Sequence, residues 1–88
     1  MNYDVVRHIL DKLTWKDIKI LLTISYSTID ELERKTGYNY HQVRVSLNKL
    51  RGLHLVGTTV YPKSKKLCYI RTVQGSAILN YIRQEVKV

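Results

Sequence analysis

The chain has few of the residues, and none of the long apolar runs, on which several classes of protein depend. Its 88 residues include a single cysteine, Cys68, so an internal disulfide framework and a multi-cysteine zinc site are both excluded. No apolar run approaches the roughly 18–20 residues that span a bilayer. The first residues also lack the charged and apolar regions of a signal peptide. We therefore expect an intracellular, cytoplasmic protein with no membrane partner.

Motifs that would indicate an enzyme or a metal site are missing as well. The four glycines are isolated from one another, so none belongs to a glycine-rich phosphate loop, and no Ser/His/Asp or paired-carboxylate motif stands out. The histidines, His8, His41 and His54, share no short metal-ligand spacing with one another or with Cys68. We expect a protein that is not an enzyme and that has neither a cofactor nor a metal.

Acidic residues are nearly missing from the larger part of the chain. Six of the seven lie within residues 1–33, where they outnumber four Lys/Arg and give a net charge of −2. Residues 34–88 contain one acidic residue, Glu85, against eleven Lys/Arg, a net charge of +10. Charge concentrated in this way indicates a surface that meets a polyanion, and nucleic acid is the first candidate.

Apolar residues at helical spacing predict five helices in a chain long enough for one domain. Three of these helices begin with a capping-box pattern, which pairs Thr14 with Asp17, Thr28 with Glu31, and Asn39 with Gln42. The predicted helices cover residues 3–13, about 15–25, from Thr28 to a stop at Gly37, from Asn39 to a stop at Gly52, and about 73–87 after a Thr72 cap.

After residue 55 the apolar period changes to two. Residues 56–61 and 67–73 are rich in β-branched side chains, and the segment between them, residues 62–66, holds three lysines. This pattern predicts a hairpin. The fold class is therefore α+β and mainly α: a winged helix–turn–helix with a three-helix core, a two-stranded β-wing and an added helix at each end. The helix–turn–helix covers 28–51 and the wing 55–73 of a single domain, 1–88.

Three segments resemble winged helix–turn–helix DNA-binding proteins, in particular MarR-like and PadR-like regulators. Residues 28–37 resemble the first helix and turn of the motif, residues 43–53 the recognition helix and its exit, and residues 72–79 the threonine, glycine and leucine signature after the wing. In size the chain is similar to compact stand-alone members found in archaea and their viruses. The resemblance implies a transcriptional regulator, more often a repressor, located in the host cytoplasm if viral. Because the chain is shorter than a typical MarR protein, a small-molecule effector is not expected.

The resemblance implies that the fourth helix is the recognition helix. Its residues Val43, Leu47 and Leu50 form one inward stripe, which leaves the opposite face open to solvent. On its outer face, Arg44 can donate two hydrogen bonds to guanine and Asn48 can pair with adenine. The predicted contacts of this helix are Tyr40, His41, Gln42, Arg44, Val45, Asn48, Lys49 and Arg51. The predicted wing contacts are Lys63, Ser64, Lys65 and Lys66, and the predicted backbone contacts of the preceding helix are Arg34 and Lys35.

The terminal helices, 3–13 and 73–87, carry apolar stripes with no obvious partner in so short a chain, which favours a homodimer built on them. Such a dimer would bind double-stranded DNA at a pseudo-palindromic site. Two other functions fit the same residues, namely a winged-helix protein-interaction module and a sequence-independent DNA-packaging protein. Cys68 either fills space beside the wing strand or forms an intersubunit disulfide.

Overall fold

The computed structural model describes residues 3–63 and 65–86, which form five helices and one antiparallel two-stranded sheet. The predicted α+β, mainly helical class and the helix–hairpin–helix order are confirmed. In chain order the elements are α1 (Tyr3–Lys12), α2 (Trp15–Thr23), α3 (Ile29–Thr36), α4 (Tyr40–Gly52), β1 (Val56–Val60), β2 (Leu67–Arg71) and α5 (Val73–Val86).

Two of the three predicted capping boxes form in full, those at Thr14 and Asn39, each with side chain and backbone bonded reciprocally. The third forms only in part. The Thr28 hydroxyl accepts a hydrogen bond from the Glu31 amide, but the Glu31 carboxylate accepts from that hydroxyl rather than from the Thr28 backbone. Within this pair, one backbone amide at the start of α3 therefore has a side-chain acceptor, whereas a full capping box provides acceptors for two.

The predicted stop at Gly37 is confirmed, because this residue adopts the left-handed conformation with φ +79°. The predicted end of the fourth helix at Gly52 is confirmed as well, although Gly52 is not the left-handed residue. Gly52 is the last residue of α4, Leu53 is the C-cap, and the left-handed residue is His54 at φ +62°. The chain turns there because the Leu55 amide donates to the Leu50 carbonyl at 2.9 Å while the Leu55 side chain enters the core.

One apolar core joins α2, α3, α4 and α5. The inward stripe of α4 is confirmed, since its three members are at most 1% exposed. The fully buried apolar side chains at the centre are Ile20, Leu21, Ile24, Leu32, Val43, Leu47, Leu50, Leu55, Ile78 and Leu79.

The terminal helices pack on this core, so the expectation that they lack a partner within the chain is wrong. Val6 and Ile9 of α1 are buried in the core, and the ring of Tyr3 meets the ring of Tyr81 in α5 edge-on, with centroids 6.4 Å apart. Val86, which the stripe of the last helix also included, has a side chain outside the described part of the structure.

The wing is attached to the core through an isolated β-bridge between Ser27 and Tyr69 of β2. The amides and carbonyls of Ser27 and Tyr69 exchange hydrogen bonds of 3.1 and 2.8 Å, and Ser27 is fully buried. Within the hairpin, Val60 pairs with Leu67 and Val56 with Arg71. The root of the wing is thus fixed to the segment that leads into α3.

Gly75 lies in the first turn of α5 against the backbone of Leu55. The Gly75 amide donates to the Thr72 hydroxyl at 3.0 Å, which confirms the predicted cap, and a Cβ at Gly75 would overlap the Leu55 carbonyl oxygen. We expect Gly75→Ala to lower the free energy of unfolding by about 2 kcal/mol, measured by urea denaturation.

The matched control for this change is Gly52→Ala. A Cβ at Gly52 would meet no atom within 4 Å, and its φ does not lie in the left-handed region. This substitution should stabilise the protein by about 0.5–1 kcal/mol, because alanine lowers the conformational entropy of the unfolded chain and favours the helix more than glycine does. Equal effects of the two alanines would contradict the close approach at Gly75.

Candidate nucleic-acid interface

The outer face of α4 is polar and open to solvent. Six of the predicted contacts on this helix are exposed, while the two others, Gln42 and Lys49, are half-buried and already bonded within the protein. The exposed six are Tyr40, His41, Arg44, Val45, Asn48 and Arg51. The geometry therefore brings these six together on one helical surface.

Arg44 is oriented by the residue one turn before it. Its guanidinium donates a hydrogen bond of 2.9 Å to the Tyr40 hydroxyl, and its Cζ lies 6.0 Å from the centroid of the Tyr40 ring. Both side chains are exposed, so this pair restricts the guanidinium without removing it from solvent. An arginine that is already ordered loses less conformational entropy when it binds a partner.

Gln42 takes part in the start of the helix. Its side-chain oxygen accepts from the Asn39 amide at 3.0 Å, and its own amide donates to the Asn39 side chain at 2.9 Å. This exchange fixes the first turn of α4, from which Tyr40 and His41 project.

A buried carboxylate, Asp17 of α2, holds α4 in place. Its two oxygens accept from the Ser46 hydroxyl at 2.6 Å, from the Lys49 ammonium at 2.8 Å and from the Thr14 amide at 2.9 Å. Asp17 is 2% exposed, so these bonds replace the water it has lost. One side chain thus serves as a helix cap and as the link between two helices.

Of these two roles of Asp17, only the helix cap was predicted from the sequence. Capping depends on residues three positions apart, whereas Ser46 and Lys49 lie 29 and 32 residues from Asp17. The small polar Ser46 among the apolar positions of α4 was the one available signal, since a buried hydroxyl needs a partner.

The network also changes the acid–base behaviour of Asp17. Burial raises the pKa of this carboxyl, but the hydrogen bonds from Lys49, Ser46 and Thr14 outweigh burial and hold the pKa below its usual value. The carboxylate is therefore charged at neutral pH and compensates the charge of Lys49, which sequence analysis assigned to DNA contact.

The tip of the wing presents its lysines to solvent. Lys63, Lys65 and Lys66 are exposed, whereas Ser64 lies outside the described residues. The Lys65 amide donates to the Tyr61 carbonyl at 2.8 Å, and the Tyr61 amide donates to the Lys66 carbonyl at 2.9 Å. These bonds close the loop. Lys65 itself adopts a left-handed conformation with φ +54°.

The other predicted residues lie on α3 and β2. Arg34 and Lys35 are exposed in the last turn of α3. Cys68 is 2% exposed, and its thiol points to the Lys66 carbonyl at a distance of 3.7 Å. The buried position agrees with a space-filling role beside the wing, and an intersubunit disulfide, which would require the sulfur to reach the surface, stays a prediction.

A polar cleft of about 660 Å³ separates the start of α3 from the wing, with Asp30, Glu31, Arg34, Tyr61 and Lys66 among its lining residues. It therefore carries both signs of charge. Within residues 3–63 and 65–86, no group of three or more His, Cys, Asp or Glu side chains could hold a metal ion. None of the helices in that part of the chain is both long enough and apolar enough to cross a membrane.

No protein-family model matches the sequence, and no curated protein matches it. Solved structures do match. A mutant MarR from E. coli in complex with operator DNA has a TM-score of 0.80 and 21% identity, and the match covers 96% of this chain and 64% of that chain. BpsR of Bordetella bronchiseptica, described with regulation of DNA binding by 6-hydroxynicotinic acid, has a TM-score of 0.78 and 16% identity over 92% and 62% of the two chains.

A third similar structure is Staphylococcus aureus MarR in complex with salicylate and kanamycin, with a TM-score of 0.75 and 17% identity over 96% and 60% of the two chains. The chain spans about three fifths of the length of these neighbours. Since two of them are described with small molecules, they give no support to the expectation that an effector is absent. The chain has the winged-helix fold that these MarR-type DNA-binding regulators share.

Proposed function

We propose that the protein is a sequence-specific, double-stranded DNA-binding transcriptional regulator in which α4 is the recognition helix. One observation carries this proposal: α4 buries an apolar stripe completely while its opposite face presents Arg44, Val45 and Asn48 to solvent. An arginine fork, a branched apolar group and an amide are the side chains that distinguish guanine, thymine and adenine in the major groove. The fold shared with a MarR solved on operator DNA supports the same assignment.

The other cationic side chains fit contacts to phosphate. Arg51 follows the reading positions on α4. Arg34 and Lys35 lie in the last turn of α3, and Lys65 and Lys66 lie on the wing. Phosphate contacts supply affinity and register, whereas base contacts supply specificity. Lys49 is a different case, because its bond to Asp17 suits it to positioning α4 rather than to binding phosphate.

We further propose a homodimer that acts as a repressor on a pseudo-palindromic site. Two recognition helices about 34 Å apart would enter successive major grooves on one side of the duplex. Tyr3 of α1 and Leu22 of α2 are exposed apolar side chains that fit such an interface. Repression rather than activation rests on the resemblance to MarR-like proteins.

Light scattering on a gel-filtration column, followed by selection from a random duplex library at about 150 mM salt, tests this function. A dimer that enriches an inverted repeat with half-site centres about 10 bp apart supports it. A folded protein that binds every duplex equally would instead support DNA packaging. A protein that binds no duplex would support a protein-interaction module, for which the exposed Tyr40 and Val45 are the natural contacts.

The wing lysines give a separate expectation. Replacing Lys65 and Lys66 together by alanine should weaken binding to selected and random duplexes alike and lower the salt slope by about 0.9 for each lost phosphate contact. The measurement is the dissociation constant at four or more salt concentrations. A loss confined to the selected sequence would show that the wing reads bases instead.

A further inference from the structure

A groove of about 260 Å³ runs between the first turn of α2 and the outer face of α4. Lys16 lines it from α2, and His41, Val45 and Lys49 line it from α4. Two of these residues, His41 and Val45, belong to the face that the proposed function assigns to DNA. The groove therefore continues that face onto α2, a helix outside the predicted DNA contacts.

The groove is cationic despite the carboxylate beneath it. Of the described residues that line it, Asp17 alone is acidic, and its oxygens are bonded to Lys49, Ser46 and Thr14. Lys49 already pairs with Asp17. The positive charge of Lys16 therefore has no acidic partner among the described residues that line the groove. An approaching phosphate would meet a net positive field.

The lysines of α2 are directed toward the segment that leads into α4. The ammonium groups of Lys16 and Lys19 lie 5.5 and 5.1 Å from the centroid of the Tyr38 ring, and Lys19 also donates to the Thr36 carbonyl at 3.1 Å. Lys19 thereby satisfies a carbonyl at the C-terminal end of α3, whereas Lys16 makes only the ring contact in addition to lining the groove. The acidic first part of the sequence thus contributes a cation beside the start of α4.

Trp15 directly precedes Lys16 and is 74% exposed. A tryptophan has a large apolar surface, and tryptophans on protein surfaces are concentrated in contact regions. The capping box at Thr14 fixes the turn from which this side chain projects. Trp15 is also the single tryptophan of the chain, so its fluorescence reports on this position alone.

We infer that α2 extends the DNA interface from α4 through Lys16, which faces a backbone phosphate at the groove, and through the exposed indole of the preceding residue, Trp15. This inference rests on the proposed function. It adds two residues that lie outside the basic part of the sequence, and it assigns the groove to double-stranded DNA rather than to a small ligand.

Titration of the protein with duplex while Trp15 emission is recorded provides the first test. The duplexes are the sequence enriched in the library selection and a random one of equal length, and binding is followed in parallel by the anisotropy of labelled DNA. We expect the emission to be quenched and to move to shorter wavelength as the indole loses water, with a midpoint that matches the anisotropy curve.

The second test removes the charge. Lys16→Ala should lower the salt slope by about 0.9 for each bound protomer. If the variant and the parent bind equally at 1 M salt, the variant should then bind roughly five-fold more weakly than the parent at 150 mM salt for each protomer. Arg83→Ala, which removes the same charge from the exposed side of α5, is the matched control and should leave the slope unchanged. Trp15→Ala should weaken binding with the slope unchanged, since an apolar contact releases no counterion.

The outcomes separate the two proposals. Unchanged Trp15 emission on a saturated duplex, or a Lys16→Ala slope equal to that of the parent, overturns this inference while the proposed function stands. If no duplex binds at all, both are overturned. Circular dichroism of each variant establishes that the loss is not one of folding.

Discussion

Asp17→Ala is expected to lower the free energy of unfolding by about 2–4 kcal/mol, a large part of the roughly 4–13 kcal/mol of a domain this size. The substitution leaves the Ser46 hydroxyl buried without its partner and Lys49 without a counter-charge, and it removes the acceptor of the Thr14 amide. The cost stays below that of a fully buried ion pair because the Lys49 side chain is 37% exposed and can turn to water. Urea denaturation measures the change.

Two controls make this prediction specific. Asp11→Ala removes the same charge from an exposed position on α1 and should change stability by less than about 0.5 kcal/mol. Ser46→Ala removes one hydrogen bond but keeps the ion pair, so it should cost about 1 kcal/mol. Equal effects of Asp17→Ala and Asp11→Ala would contradict a structural role for the network.

The same carboxylate gives an expected dependence on pH. Because the pKa of folded Asp17 lies below that of the unfolded chain, about 3.9, its charge stabilises the fold fully above that value. This contribution is lost as the pH falls through the folded pKa. The stability difference between the parent and Asp17→Asn should therefore be constant above about pH 5 and shrink below about pH 4. A difference that grows on acidification would contradict the assigned direction.

Arg44→Ala is expected to lower binding to the selected sequence by about 1–3 kcal/mol for each half-site, or roughly 2–6 kcal/mol for a homodimer. The physical reason is the loss of a two-pronged donor that Tyr40 already orients. Binding to random duplex should fall far less, since only the contribution of one cation is removed. The measurement is the ratio of the two dissociation constants at fixed salt.

Arg51→Ala is the matched control, because it removes another exposed arginine near the other end of the same helix. It should weaken selected and random duplexes alike. Tyr40→Phe, which keeps the ring but deletes the hydroxyl that accepts from Arg44, should lower specificity by an intermediate amount. Equal losses on both duplexes for Arg44→Ala would show that this residue contacts backbone rather than bases.

Local patterns predicted most of the fold. The caps at Thr14 and Asn39, the left-handed stop at Gly37 and the buried stripe of α4 all depend on residues within a few positions of one another, and all are observed. The exposed face of α4 follows from its stripe by helical geometry alone. For this reason the candidate reading residues could be named before the tertiary structure was known.

Local residue patterns were sufficient to locate the helices and the wing and to identify the apolar face of α4. Packing between distant elements, in contrast, joins Asp17 of α2 to α4, seats α1 on its own core and places Lys16 beside the predicted recognition face. The two groups of features differ in the range of the interactions that produce them. Caps and stripes are set by neighbours within one or two turns, whereas these contacts arise only when helices far apart in sequence pack together and must satisfy each other's buried groups.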